Sequence, residues 1–313
     1  MTSITQSVPW VEKYRPSEFS NIVLDPTNRT IFTNIINKDY FPNLLFYGPP
    51  GTGKTTTIIN LINEHQRKHS KINKENVIHL NASDERGIDI IRNQIQQFVK
   101  SNSFFEVGIK FVILDEADYM TKNAQQALKY LMQSTNYNVR FCLICNYISK
   151  LVTSLQSEFI CVRFDQLPEL EIYKFIKNVA NKENLRLSDT DIQTIQKTYR
   201  SDIRSMINFI QLNQNLSEWS GSIITNDSWE KMYGLHRDEN IIELKDFIQH
   251  ISIKYNIDKK GIMIKYFNYI LRNKIHNTTQ LFLDNIEVIT HSENADLNSI
   301  IDYFCVNFTG SYI

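Results

Sequence analysis

The sequence predicts an α/β fold, a parallel sheet covered by helices on both faces, followed by an all-helical second half. Three observations carry that expectation. Short uninterrupted apolar runs alternate with stretches of helical spacing as far as Phe164. One of those runs leads directly into a glycine-rich turn and a helix, and beyond Phe164 the strand-like runs stop. Strands buried on both faces need continuous apolar runs rather than alternating ones.

In chain order, Pro42-Asn43 precede the run Leu44-Leu45-Phe46-Tyr47, which ends at Gly48. Ile58, Ile59, Leu61 and Ile62 predict a helix over about 55–64. A polar stretch, 66–76, separates it from a second strand, Val77-Ile78-His79-Leu80. Ile88, Ile91, Ile95 and Phe98 have helical spacing. Phe111-Val112-Ile113-Leu114 and Phe141-Cys142-Leu143-Ile144-Cys145 read as two further strands, with a helix over 124–132 between them. Helices then follow at 170–183, 189–199 and 202–213, with Ser188 and Ser201 as expected N-caps. Residues 221–227 read as a linker. The remainder, 228–313, is helical by period, with Leu244, Phe247, Ile248 and Ile251, then Ile262, Ile264, Phe267 and Ile270, as its apolar positions. The expected organisation is an α/β domain over 1–164, a small helical domain over 165–222 and a C-terminal helical domain over 228–313.

Composition narrows the classes. The chain has 313 residues, 42% hydrophobic and 22% charged, with 9 Gly and 7 Pro, which argues against disorder and against fibrous repeats. At roughly 100–200 residues per domain, two or three domains are expected. No run approaches the ~18 apolar residues of a membrane span. Met1-Thr2-Ser3-Ile4-Thr5-Gln6 lacks the basic start and apolar run of a signal peptide, so neither membrane nor secretion is expected. Four cysteines in this length are no disulfide framework and suit a reducing compartment. Lys+Arg and Asp+Glu number 34 each, a neutral total. Split after Phe164, the first part holds 18 basic and 14 acidic side chains, net +4, and the second 16 and 20, net −4. The neutral total therefore does not exclude a nucleic-acid partner.

Gly48-Pro49-Pro50-Gly51-Thr52-Gly53-Lys54-Thr55 satisfies G-x-x-x-x-G-K-[ST] between a strand and a helix, the context a phosphate loop requires. Glycines let backbone N–H groups face phosphate oxygens, and the helix adds its positive N-terminal end. Lys54 would reach the β- and γ-phosphates of ATP, and Thr55 would offer its hydroxyl to Mg²⁺. Asp115-Glu116-Ala117-Asp118 follows an apolar strand, so Asp115 lies where ligands gather in open α/β sheets and could hold the same Mg²⁺. Glu116 is placed to orient or deprotonate the attacking water. Asn146, at the end of the fourth strand, could bond the γ-phosphate or that water; an ordinary turn asparagine is the alternative, and both stay open.

Taken together, Val8-Pro9-Trp10-Val11-Glu12-Lys13-Tyr14-Arg15-Pro16, the phosphate loop, Asn81-Ala82-Ser83-Asp84-Glu85-Arg86-Gly87, Leu114-Asp115-Glu116-Ala117-Asp118 and Arg140-Phe141-Cys142-Leu143-Ile144-Cys145-Asn146-Tyr147 resemble the small subunits of replication factor C. These are the AAA+ ATPases of sliding-clamp loaders. The resemblance runs over 8–165 and more loosely to about 212. It implies a P-loop AAA+ domain, a helical lid and a C-terminal helical collar. It implies ATP and Mg²⁺ as cofactors, and partners that are other loader subunits in a hetero-pentamer, a ring-shaped sliding clamp and primer–template DNA. Of the N-terminal segment, Val8, Tyr14, Arg15 and Pro16 would border the adenine and ribose. Thr56 would continue the phosphate site, Asn146 would be a first sensor and Arg204 a second. Arg86, Arg92, Lys122 and Lys150 match DNA-facing positions. The helix over 89–100 with Phe104 and Phe105 lies where family members touch the clamp, although those two rings could equally lie under the sheet. Such work is nuclear in a eukaryotic cell, or proceeds in the host's replication compartment for a large DNA virus, whose A/T-rich genome the Asn- and Ile-rich composition would suit.

Two departures stand out. The lid motif normally begins with glycine where this chain has Ser201. The arginine that family members lend to a neighbour's ATP site is here Glu158, in Ser157-Glu158-Phe159. A finger arginine is worth roughly 10³–10⁵ in rate, so its loss keeps open a nucleotide-binding structural subunit as an alternative. Another AAA+ DNA-remodelling ATPase is a separate alternative, against which the block from Asn81 to Gly87 speaks. Cys142 and Cys145 share one strand three residues apart and so should face opposite sides of the sheet as core residues, not as a metal pair. His65 and His69 have polar neighbours, which places them on an exposed helix face.

Overall fold

A computed structural model describes residues 8–38, 40–69, 72–83, 88–100, 108–134, 138–214, 224, 226–255, 257–275, 278–292 and 296–308, with only the backbone of 88–92. The chain divides into two compact units, Met1–Asn215 and Leu216–Ile313.

In the first unit, a short helix α1 (Trp10–Lys13) and a longer α2 (Pro26–Asn37) precede the first strand. Sequence reasoning passed over α2, although Asp25 caps it by accepting from the Thr27 and Asn28 N–H groups and Pro26 opens it. The alternating elements follow: β1 (Leu44–Tyr47), α3 (Lys54–His69), β2 (Val77–Asn81), α4 (Ile88–Lys100), β3 (Lys110–Asp115), α5 (Lys122–Ser134), β4 (Val139–Cys145), α6 (Thr153–Gln156) and β5 (Ile160–Arg163). The sheet is parallel throughout, in the order β2-β3-β4-β1-β5. Asn43 aligns the strand starts: its side-chain oxygen accepts from Phe141 N–H at 2.9 Å and its carbonyl from Ile160 N–H at 2.9 Å.

Both faces of the sheet are apolar, as continuous runs require. Leu45, Val112, Leu114, Leu143 and Cys145 face α4 and α5. Leu44, Phe46, Phe111, Cys142 and Ile144 face α2 and α3, with Phe32, Ile58 and Leu61 between. Cys142 and Cys145 thus lie on opposite faces, both buried. Strand β5 escaped the sequence reading because it is an edge strand. The apolar residues Ile160-Cys161-Val162 run through it, yet of its four residues only Val162 is buried.

Helix α3 corrects two expectations. It runs past residue 64 to His69, and His65 is buried rather than exposed, at 3% accessibility. Residues 58, 61 and 65 repeat at helical period, so His65 falls on the core face, edge-on to Phe41 at 5.2 Å and near Phe111 at 6.5 Å. Arg67 and Lys68 take the solvent side of the same turn.

Three helices complete this unit: α7 (Glu169–Lys182), α8 (Asp189–Tyr199) and α9 (Ile203–Leu212). Ser188 caps α8 in a reciprocal box with Asp191. Ser201 does not cap α9, against expectation. Asp202 does, accepting from Ser205 N–H at 3.0 Å, while the Ser201 hydroxyl accepts from Leu167 N–H at 2.9 Å.

The second unit contains α10 (Asn226–Arg237), α11 (Ile241–Tyr255), α12 (Lys259–Asn273), α13 (Gln280–His291) and α14 (Leu297–Asn307). Residues 226 and 227, expected in the linker, open α10; the rest of 221–227, apart from Ile224, lies outside the described residues. Leu244, Ile248, Ile251, Ile262, Phe267 and Ile270 are core, joined by Tyr266, Phe282, Phe304 and Phe308. Ile264 is exposed, because Met263 and Tyr266 complete the inward stripe of α12 instead. Among the described residues no helix is long and apolar enough to cross a membrane.

Candidate nucleotide site

The site lies at the C-terminal ends of β1, β3 and β4, where an open parallel sheet offers a crevice. After β1 the chain turns at Gly48 and Gly51, whose φ angles are +142° and +73°. A Cβ at Gly48 would sit 1.7 Å from the Phe164 carbonyl oxygen, and one at Gly51 would sit 1.8 Å from the Asp202 carboxylate. Only glycine fits either place. Helix α3 then starts at Lys54, so its unpaired N–H groups face the mouth of the loop.

Lys54 is buried, and its ammonium donates to Gly48 and Pro49 carbonyls, both at 2.8 Å, and to Asn146 Oδ1 at 3.1 Å. Burial pulls its pKa below the ordinary lysine value, with the nearby Asp115 charge acting against that and Arg204 adding to it. The Thr55 hydroxyl donates to Asp115 Oδ2 at 2.8 Å across 60 residues of sequence. Burial alone would raise the Asp115 carboxyl. His79, 3.7 Å away, the Thr55 hydroxyl and the Glu116 N–H outweigh it and hold the group below the usual carboxylate range. Glu116 adopts left-handed backbone, φ +54°, a conformation that costs a non-glycine residue about 1 kcal/mol or more and turns its side chain to the cavity wall.

A cavity of about 270 Å³ opens over the loop. It is lined by Tyr14, Arg15, Pro16, Pro50, Gly51, Thr52, Gly53, Lys54, Thr55, Thr56, Asp115, Glu116, Asn146 and Arg204. Those residues come from five separate stretches of sequence. Gly48 and Pro49 stand behind the cavity and reach it through the carbonyls that hold Lys54. Val8 is exposed and outside the lining, whereas Val11 and Glu12 belong to it. Sequence reasoning also missed an apolar wall of Ile22, Val23, Ile144, Phe175, Ile203 and Ile207. Nothing in the local sequence distinguishes these from ordinary core residues. Helix α9 touches the loop directly, with Ile203 N–H donating to the Gly51 carbonyl at 3.2 Å.

The arrangement fits a polyphosphate and a hard cation. Among the described residues no three metal-ligating side chains cluster, but Mg²⁺ needs few protein ligands when phosphates supply the rest, and a hydroxyl beside an ionised carboxylate is the right donor pair. Lys122 and Lys150 lie elsewhere. Lys122 opens α5 on the surface, and the Lys150 ammonium sits 5.2 Å and 5.3 Å from the ring centres of Tyr119 and Tyr147. The Lys150 carbonyl is anchored by the buried Gln125 amide, which also holds Met120 and Val152, a tie no motif announced. Arg86, Phe104 and Phe105 lie outside the described residues, as does the side chain of Arg92.

The fold and this site define a class, the P-loop ATPase fold of the AAA type. The family model "ATPase family associated with various cellular activities (AAA)" matches residues 44–166. A Thermotoga maritima RuvB structure, titled a Holliday junction branch migration motor, aligns with TM-score 0.53 at 13% identity, covering 83% of this chain and 91% of that one. That likeness concerns the fold. Replication factor C subunit 5 of Mus musculus is 40% identical over 207 residues, 66% of this chain and 60% of that protein. Probable replication factor C subunit 5 of Dictyostelium discoideum is 32% identical over 306 residues, 94% of this chain and 86% of that protein. Replication factor C small subunit 2 of Pyrobaculum arsenaticum is 37% identical over 72% of this chain and 68% of that protein. The chain belongs to the replication factor C small-subunit family. Its aligned part spans about three fifths of the mouse and human relatives, 60% in each case.

Proposed function

We propose that this chain is an ATPase subunit of a clamp loader, using ATP binding and hydrolysis to open a sliding clamp and place it on primer–template DNA during replication. The observation that carries the reading is the convergence of two hydrogen-bonded pairs, Lys54 with Asn146 and Thr55 with Asp115, in the lining of one cavity at the mouth of the phosphate loop. In this reading residues 165–222 act as a lid and 228–313 as the collar that joins subunits of a hetero-pentamer.

With ATP bound, Lys54 exchanges its carbonyl partners for β- and γ-phosphate oxygens, and the N–H groups of Gly51, Thr52 and Gly53 and of the first turn of α3, through Thr56, surround the rest. Tyr14, Arg15 and Pro16 border the base and ribose. Thr55 and Asp115 would hold Mg²⁺, which would neutralise charge developing between the β- and γ-phosphates. Glu116 takes the proton of the attacking water, Asn146 orients that water, and Arg204 reaches the γ-phosphate from the lid. Lys122 and Lys150 contact DNA phosphates, with Arg86 and Arg92 continuing the lining. In a eukaryotic cell such work lies in the nucleus.

The test uses the chain assembled with its partner subunits, clamp and primed DNA. Glu116→Gln should lower ATP turnover about 10²–10⁴-fold while ATP still binds. Undiminished turnover would remove Glu116 from catalysis, and a wild-type assembly that leaves the clamp off DNA would overturn the loader reading.

Glu158 favours a refinement. It accepts from Gln133 at 3.1 Å and lies 3.8 Å from the Lys129 ammonium, so a cation of its own chain already occupies it. This subunit then hydrolyses its own ATP without serving the next site. Glu158→Ala should leave the assembly's ATPase intact; abolition would refute the refinement.

A further inference from the structure

The phosphate chemistry uses one side of the cavity and leaves unexplained how its base-side wall is held. That wall is the segment around Tyr14, 169 residues before the lid residue it meets. The Tyr14 hydroxyl donates to the Glu183 carboxylate, and the Lys13 ammonium donates to the same oxygen at 2.5 Å. The Lys182 ammonium stands 5.8 Å from the centre of the Tyr14 ring, and Trp10 meets that ring edge-on at 6.3 Å. The backbone N–H of Trp10, itself buried, donates to the Gln211 side-chain oxygen of α9 at 3.0 Å. The other end of the segment is tied to α3. The Pro16 carbonyl accepts from Asn60 at 3.0 Å, and Arg15 donates to the Thr56 hydroxyl at 3.2 Å. Residues 10–16 are therefore a strap, fastened to the phosphate-loop helix at one end and to two lid helices at the other.

Glu183 is the cap residue at the C-terminal end of α7, where the helix presents carbonyl oxygens and disfavours an anion. Helix stability does not explain a carboxylate there. Hydrogen bonds from Lys13 and then from Tyr14 hold it below the ordinary carboxylate range, so it stays ionised. Glu183 itself is not part of the cavity lining, whereas Tyr14 is.

We propose that Glu183 is a positioning residue for nucleotide binding, clasping the Tyr14 hydroxyl so that the base-side wall and the lid form one preassembled slot for the nucleotide base. The proposal rests on the nucleotide-binding reading of the cavity. A slot ordered before the ligand arrives spares the ordering cost at binding, and that gain is specific to the part of the ligand the slot touches. The phosphates, held by the loop and α3, gain nothing from it.

The experiment is calorimetric titration of the full chain with ATP and, separately, with inorganic tripolyphosphate, which has no base. Glu183→Ala should weaken ATP about tenfold, the scale of one lost bond to a charged group. It should leave tripolyphosphate affinity unchanged. Glu183→Gln should recover most of the loss, since its amide oxygen still accepts from Tyr14. Tyr14→Phe should weaken ATP similarly, and the double variant Tyr14→Phe/Glu183→Ala should be no weaker than either single one, because both break the same contact. Multiplying losses, an equal loss for tripolyphosphate, or unchanged ATP affinity would each overturn the clasp. If the wild-type chain bound neither ligand, the nucleotide reading would fall and the clasp with it; if it bound both and Glu183→Ala changed neither, only the clasp would fall.

Discussion

Each unit buries a nitrogen base, and the two are held in opposite ways. In the first, Lys54 sits among three oxygen acceptors, two carbonyls and an amide, and beside the Asp115 carboxylate. In the second, His236 is stacked on Tyr266, edge-on to Phe304, with the Tyr266 hydroxyl 3.1 Å from its Nδ1. Burial pushes the His236 pKa down to about 3, so it is neutral at pH 7. A charge is kept inside a protein where acceptors replace water, and discarded where burial among rings outweighs the polar contacts. The first pocket is organised around a retained charge, and the second interior is organised around packing.

The largest test of that contrast is Lys54→Met. It should weaken ATP about a hundredfold, the scale of roughly 3 kcal/mol for a charge-assisted contact in a water-poor site. Hydrogen exchange over 226–308 should not change. Phe304→Ala is the mirror experiment: a fully buried ring removed from the second core should cost about 3–5 kcal/mol, read as faster exchange over 226–308 with ATP affinity retained. Loss of ATP binding in Phe304→Ala would dissolve the distinction.

A smaller effect is set by pH. His236 has a folded value of about 3 against an ordinary 6.5, so the unfolded chain takes up the proton first. Its contribution is complete above pH 6.5 and falls as pH drops toward 3, by about 1 kcal/mol between pH 6.5 and 5.5. Denaturant unfolding should show that slope, and His236→Phe should flatten it. The smallest effect belongs to the lid: Ser201→Gly removes the bond from Leu167 N–H, about 0.5–1.5 kcal/mol, and should speed exchange at that amide with little change elsewhere.

What could be read from sequence was what neighbours along the chain decide. Runs such as Leu44-Leu45-Phe46-Tyr47 and the glycine-rich loop after them state their conformation within eight or ten residues. So does the alternation that sends Cys142 and Cys145 to opposite faces. Where burial depended on distant partners, local signals failed. His65 looked solvated among Gln66, Arg67 and Lys68, yet it packs against Phe41 and Phe111. Strand β5 carries the apolar run Ile160-Cys161-Val162, yet Ile160 and Cys161 are exposed, because the strand lies at the edge of the sheet. The apolar wall with Phe175 and Ile207 consists of residues that any helix core could use.

The sequence by itself determined the chemistry of the phosphate loop, the strands that carry it and the helical character of the second half, because these follow from backbone freedom and hydrophobic period. Tertiary structure decided which groups meet. It brought Thr55 to Asp115, Asn146 to Lys54, and Tyr14 to Glu183. Those meetings depend on the strand order β2-β3-β4-β1-β5 and on the fold-back of the lid, long-range pairings that no local pattern encodes.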